Sequence, residues 1–169
     1  MSKSNILIYI LRRDLRVSDN PILHHLETTT DHGFTHLLPV FVFPAHQMEL
    51  SGFLKDGHKN PYPPAKSAVG GYWRCGPHRA KFTGESVCDL KASLDSLESG
   101  LVLRVGMIGD ALNDLFEDLT AKAQTVGAVW MTGDEGVEEN RDEKAAELIC
   151  KKHSADFKLW VDEKYFIDE

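Results

Sequence analysis

Short apolar runs alternate with longer stretches of helical period along this chain. Residues 5–11 (NILIYIL) are continuous, rich in isoleucine and followed at once by charges, so they predict a buried strand. Residues 36–43 (HLLPVFVF) predict a second, with an irregular start because Pro39 lacks a ladder donor. Residues 101–105, 128–132 and 157–161 supply three more short strands. Unbroken runs of this kind are what parallel strands covered on both faces require.

Helical segments lie between them. Residues 21–27 follow Asp19-Asn20, a cap with a proline at the first helical position. Residues 77–97 form the longest helix, with Phe82, Val87, Leu90, Leu94 and Leu97 on one face and Gly100 just past the end. Gly109-Asp110 opens a third that carries Leu112, Leu115, Phe116 and Leu119. Residues 137–153 form a fourth, with Ala145, Leu148 and Ile149 inward and Lys151-Lys152-His153 at the negative end of its dipole. Strands alternating with helices mean βαβ units with right-handed crossovers. The fold class is α/β: a doubly wound, open parallel sheet of about five strands with helices on both faces, Rossmann-like or HUP-type. Residues 44–76, rich in Pro and Gly, show no sustained period. A loop of that length is functional or disordered, and disorder or an insertion is the expectation here.

Composition narrows the class further. With 169 residues, 42% apolar and 27% charged, the chain suits one packed domain and excludes intrinsic disorder. Its 19 basic against 26 acidic residues leave a net charge of −7, so direct nucleic-acid binding by this chain alone is not expected. No apolar run approaches the roughly 18 residues of a membrane span. Residues 1–5 run straight into the first strand with no long apolar stretch, so a secretory signal is not expected, and Cys75, Cys88 and Cys150 are scattered. That spacing excludes a disulfide framework and a metal knuckle, and an intracellular, reducing location is the expectation.

In an open α/β sheet, ligands bind at the carboxyl ends of the strands, near the point where strand order reverses. After the first strand come Arg12, Arg13, Asp14 and Arg16; after the second, Pro44, His46 and Gln47; after the fourth, Gly133, Asp134, Glu135, Glu138 and Glu139. No GxGxxG or GxxxxGK[ST] phosphate cradle, no GxSxG elbow and no HExxH spacing occurs. No metal site and no catalytic residue of this chain alone is therefore expected. Two clusters remain. In Arg12–Asn20, a turn with Asn20 as helix cap competes with a charged rim at the ligand crevice. In Asp134–Glu139, acids favoured at a helix N-terminus by the dipole compete with carboxylates that accept N–H bonds from a heterocycle.

Taken together, the segments resemble the N-terminal domain of the photolyase/cryptochrome family, in particular its cryptochrome DASH branch. Tyr9-Ile10-Leu11-Arg12-Arg13-Asp14-Leu15-Arg16-Val17-Ser18-Asp19-Asn20-Pro21 resembles the family's RxDLRxxDN signature after its first strand. Leu38-Pro39-Val40-Phe41-Val42-Phe43 is similar to its second strand, and Gly76-Pro77-His78-Arg79-Ala80-Lys81-Phe82 continuing to Asp89-Leu90 is similar to its G-x-x-R-x-x-F helix. Trp160 to Asp168 resembles the segment that leaves the α/β domain. The resemblance implies an α/β domain over residues 1–161, with 162–169 as the start of an interdomain linker.

It also implies a division of labour. This domain of the family carries a light-harvesting antenna, often methenyltetrahydrofolate, whose contacts align with Asp134, Glu138 and Glu139. A separate C-terminal domain binds FAD and DNA, so FAD belongs to a full-length parent that acts in light-dependent pyrimidine-dimer repair or photoreception. The chain departs from the DASH pattern at Phe43-Pro44-Ala45-His46, where Phe-Asp-Pro-Arg is usual, and it stops at Ile167-Asp168-Glu169. A fragment or truncated product is the implied status, with the absent flavin domain or an equivalent partner as its neighbour. Phe166 and Ile167 are expected to contribute an apolar face there, and Trp73, Trp130 and Trp160 are not assigned to electron transfer. Two other functions compete: a chromophore-free protein-interaction module, and a small nucleotide-binding enzyme, which the lack of a phosphate loop disfavours.

Overall fold

The computed structural model describes residues 4–50, 52 and 54–161. Its strands are β1 (Asn5–Leu11), β2 (His36–Pro44), β3 (Val102–Gly106), β4 (Thr125–Thr132) and β5 (Asp156–Trp160). Its helices are α1 (Pro21–Thr28), α2 (Pro77–Ser96), α3 (Ile108–Ala121) and α4 (Val137–Lys152). The strands form one five-stranded sheet in the order β3-β2-β1-β4-β5, and every pairing is parallel. The chain winds outward from β1 to β3, then crosses back to lay β4 on the other side of β1. Strand order therefore reverses between β1 and β4, which opens a crevice at their carboxyl ends.

The two faces of β1 feed two cores, because successive side chains of a strand point oppositely. Ile6, Ile8 and Ile10 pack with Leu112, Leu115 and Phe116 of α3 and with Ala146 and Cys150 of α4. Leu7, Tyr9 and Leu11 pack with Ile22 of α1 and with Val87, Leu90 and Leu94 of α2. Burial in the first of these cores pushes the Cys150 thiol up to about 12, so it behaves as an inert packing group. Pro39 is tolerated because pairing of β2 with β3 begins only at Val40.

Three expectations need correction. Phe82 and Leu97 are 71% and 63% exposed, whereas Val87, Leu90 and Leu94 do face the sheet. Five residues turn a helix through about 500°, so Phe82 lies about 140° round from Val87. On α4, Leu148 is 65% exposed, while Ala145 and Ile149 are only partly buried. The inward stripe is instead Asp142, Ala146 and Cys150, spaced four residues apart, with Glu143 beside it. The acids in that stripe hide it from a hydrophobic pattern.

The third correction concerns residues 44–76. Their described part packs on the domain rather than trailing from it. Leu50 and Ala65 are 2% and 4% exposed. The Tyr62 hydroxyl donates to Asp110 Oδ2 at 3.0 Å in the first turn of α3, and Arg74 pairs with Glu138 of α4. Gly106, at φ 141°, admits Tyr62, since a Cβ there would lie 2.7 Å from its hydroxyl. Among the described residues no helix is long and apolar enough to cross a membrane. Residues 162–169, with Phe166 and Ile167, lie outside the described residues.

Candidate functional site

The turn after β1 sorts its polar residues into two uses. Asn20 is 2% exposed and caps α1: its side-chain oxygen accepts from the Ile22 and Leu23 N–H groups at 3.1 Å, and its amide donates to the Tyr9 hydroxyl at 2.9 Å. Asp14 holds Arg16 at 3.0 Å. For these residues the turn-and-cap reading is the one the geometry favours. Arg12 and Arg13 instead reach across the sheet edge.

Arg12 is a strut over the switch point. It pairs with Glu143 Oε1 at 2.6 Å, with both side chains nearly buried, and donates to the Thr132 and Glu139 carbonyls. The same Glu143 oxygen accepts from the Asp134 N–H at 2.9 Å, so one acid ties β1, the end of β4 and α4 together. Arg13 is 66% exposed and bridges Asp134, at 2.9 Å, and Glu139. Glu139 folds back over Gly136, where a Cβ would lie 2.0 Å from its Oε2, so a side chain at 136 would make the Glu139 carboxylate shift.

Of the acids read from the sequence, Asp134 and Glu139 are thus brought together through Arg13. Glu138 is not part of that group. It turns to Arg74, whose Nη2 lies 2.6 Å from Oε2, with His46 Nε2 at 3.8 Å from the same oxygen. The Arg74 hydrogen bond holds the Glu138 carboxyl below its ordinary range, against an opposing effect of burial. The macrodipole alone would favour these acids at the start of α4, and the arginines add specific partners.

Two clefts open along this edge. One, of about 670 Å³, lies at the switch point and is lined by Arg12, Arg13, Arg16, Asp134 and Glu143, with Leu159 at its β5 side. The other, of about 500 Å³, lies over the ends of β1 and β2 and is lined by Phe41, Met48 and Phe82 with His46, Arg79 and Asp142. Glu139 lies on its wall, and Cys75, next to Arg74, on its rim. Arg74 and Asp142 are residues that sequence reasoning missed. Asp142 could have been found from its four-residue spacing to Ala146 and Cys150, which puts an acid on an inward stripe.

Asp142 is 8% exposed, and among the described residues its side chain has no hydrogen bond or ion pair. Burial is the main cause that pushes its carboxyl up; Glu139 and Glu138 add to this, and His46 and Arg12 oppose it. Both ring nitrogens of His46 are buried without a hydrogen-bond partner. Trp130 and Trp160 pack together at 5.1 Å on the α1 side of the sheet, while Trp73 lies under Lys66 on the surface.

The DNA photolyase family model matches residues 7–163. A putative mitochondrial cryptochrome DASH of Neurospora crassa is 56% identical over 170 residues, covering 100% of this chain and 23% of that protein. A putative cryptochrome DASH of Gibberella zeae is 51% identical over 169 residues, covering 100% of this chain and 24% of that protein. The chain spans about a quarter of the length of these relatives. Among solved structures, a Synechocystis cryptochrome superimposes with a TM-score of 0.71 at 18% identity, over 95% of this chain and 28% of that one. An archaeal photolyase from Sulfolobus tokodaii, solved with two FAD molecules, gives 0.65 at 22% identity, over 93% of this chain and 29% of that one. The parallel sheet in the order 3-2-1-4-5, the arginine turn after β1 and the matched span agree: this chain belongs to the DNA photolyase family, as its N-terminal α/β domain of the cryptochrome DASH kind.

Proposed function

We propose that this domain holds the antenna chromophore of a cryptochrome DASH-like flavoprotein, a group of the methenyltetrahydrofolate type, in the cleft over the ends of β1 and β2. The observation that carries the reading is the lining of that cleft. Phe41, Met48 and Phe82 supply apolar walls, and Arg79, Glu139, His46 and Asp142 converge on it. A flat conjugated ring with an acidic tail calls for that mixture, broad apolar contact with a few placed polar groups. Phe82 is 71% exposed, and a ring stacked on it would cover that surface. When bound, such a group supplies absorption of near-ultraviolet and blue light.

Glu138, Glu139 and Asp134 act at the rim by exchange of partners. Each is paired to an arginine, Glu138 to Arg74 and the other two to Arg13. A ligand that brings ring N–H donors for the acids and tail carboxylates for the arginines can replace both halves of these pairs with charge-assisted bonds. In the parent protein FAD and its chemistry belong to a domain outside this chain, which is also the partner that this domain's exposed edge would meet. This chain alone splits no pyrimidine dimers in blue light, because that repair needs an excited flavin beside an extruded base; a dimer-splitting assay on the purified chain checks it.

The test of the site is a titration of wild type, Glu138→Ala and Glu139→Ala with methenyltetrahydrofolate, with circular dichroism as fold control. Each substitution should cost about 1.5–3 kcal/mol, roughly 10- to 150-fold in affinity. Equal affinity in all three proteins removes these two acids from the site. Saturation by none of them favours a chromophore-free interaction module. That second reading is supported by Tyr72, Trp73 and Phe82, which are 78%, 52% and 71% exposed.

A further inference from the structure

Charge is unevenly spread along this chain. Residues 57–84 hold five basic side chains and no acid, although the whole chain carries −7. The middle of that stretch is a hairpin standing on the domain. Lys66 bridges Trp73 in antiparallel fashion, the Ser67 N–H donates to the Tyr72 carbonyl at 2.8 Å, and the Arg74 N–H donates to the Ala65 carbonyl at 3.0 Å. Its base is held down, with Ala65 buried and Arg74 paired to Glu138. Its tip is bare: Val69 is 100% exposed, and Tyr72 and Trp73 are exposed behind it. Lys66 Nζ lies 4.7 Å from the centre of the Trp73 ring. Among the described residues Lys59 and Lys66, and Lys55 just before the stretch, pair with no carboxylate.

We propose that this hairpin is a lipid-surface anchor, whose tip enters the interface of an anionic membrane while the lysines around it meet the headgroups. The inference is independent of the antenna reading. A fully exposed aliphatic side chain at the tip gains free energy on leaving water for an apolar medium. Tryptophan and tyrosine, with an apolar ring and a polar edge, settle at headgroup level. Lysines are drawn to an anionic leaflet, and their long stems let the ammonium groups reach it from behind the tip. The lack of acids matters as much, because a carboxylate in this stretch would be repelled. None of the described helices is long and apolar enough to cross a membrane, so the contact is with the surface. Other partners fit less well. Single-stranded nucleic acid stacks on open aromatic faces, but Lys66 covers a face of Trp73, and Val69, the foremost residue, can neither stack nor pair. The core of a protein–protein interface is depleted of lysine.

The experiment uses the whole chain as wild type, as Val69→Asp, as Trp73→Phe and as the triple variant Lys55→Gln, Lys59→Gln, Lys66→Gln. Each is floated with vesicles of phosphatidylcholine alone and with vesicles of phosphatidylcholine and phosphatidylserine in equal parts. Binding to oligothymidylate is measured in parallel, and thermal melts control for the fold. Wild type should float with the mixed vesicles and not with phosphatidylcholine alone, and less so at high salt. Its tryptophan emission should move to shorter wavelength on the mixed vesicles, a shift lost in Trp73→Phe. Val69→Asp should bind them about tenfold or more weakly, and the triple variant about fivefold more weakly per lysine, roughly a hundredfold in all. All variants should melt with wild type, since every changed side chain is exposed. Failure of wild type to float with the mixed vesicles overturns the proposal. Flotation unchanged in Val69→Asp or in the triple variant does so too, as does an emission shift that persists in Trp73→Phe. Oligothymidylate bound more tightly than vesicles, with affinity lost in the triple variant but kept in Val69→Asp, would assign the patch to nucleic acid and overturn it.

Discussion

The two clefts at the carboxyl edge share Arg12 and Arg13, yet their polar groups are in opposite states. At the switch point the charges are matched: Arg12 with Glu143, Arg13 with Asp134, Arg16 with Asp14. Over β1 and β2, the ring nitrogens of His46 are buried without a hydrogen bond, 3.8 Å from Glu138, and Asp142, 8% exposed, makes no hydrogen bond among the described residues. The difference separates charge used to hold the sheet edge together from polarity kept in reserve. The nearly buried Arg12–Glu143 pair resists a ligand, because the ligand must first break it, whereas the Arg13 pairs are exposed enough to exchange partners; an unmatched group costs stability.

That comparison breaks first, and most severely, at Glu143. Glu143→Ala strips a nearly buried Arg12 of its carboxylate and the Asp134 N–H of its acceptor. The expected loss is about 3 kcal/mol, the lower end for a broken buried pair, since Arg12 keeps two carbonyl acceptors. Urea unfolding measures it, and a loss near zero would mean that the strut does not hold the edge. Asn20→Ala comes next, at about 2 kcal/mol, the upper end for a helix cap, because the Tyr9 hydroxyl loses its amide donor as well. Thermal melts followed by circular dichroism report it.

The pH dependence of stability sharpens the contrast with opposite signs. Burial raises the Asp142 carboxyl above its ordinary 3.8, so the folded state holds this proton more tightly than the unfolded chain. Its contribution is fully present below 3.8 and is lost as pH rises through the folded value. Asp142→Asn should therefore gain on wild type across that window and keep the gain above it. The Arg74 bond lowers the Glu138 carboxyl below its ordinary 4.5, so its contribution is present above 4.5 and is lost as pH falls through the folded value. Glu138→Gln should trail wild type at neutral pH and draw level in acid. Urea melts at stepped pH check both, and the same sign for the two variants would contradict the contrast. The smallest effect is expected at Arg13: with 66% of its side chain exposed, Arg13→Ala should cost no more than about 1 kcal/mol, less at high salt.

How much of this was legible in advance follows from which forces are local. The strands were, because a parallel strand covered on both faces has to be apolar at every position, and residues 5–11 and 36–43 are nearly that. The cap at Asn20 was also legible, since its partners lie two and three residues away. The inward face of α4 was not: its stripe begins with two acids, and an apolar pattern picks Leu148, about 200° round from Ala146, instead. The fate of residues 44–76 was missed for a related reason, as their anchors Tyr62 and Arg74 are polar and their partners lie on other elements.

The sequence by itself determined the sheet, its helices and the crevice at the carboxyl ends of the strands, because periodicity and the order of strands and helices are properties of neighbouring residues. Only the tertiary structure decided which acid each arginine takes. Arg12 and Glu143 are 131 residues apart, and Arg74 and Glu138 are 64 apart, so no local rule relates them. Burial is decided in the same way: the His46 ring nitrogens and the Asp142 side chain are buried only when α4 and the segment after β2 pack on the sheet edge.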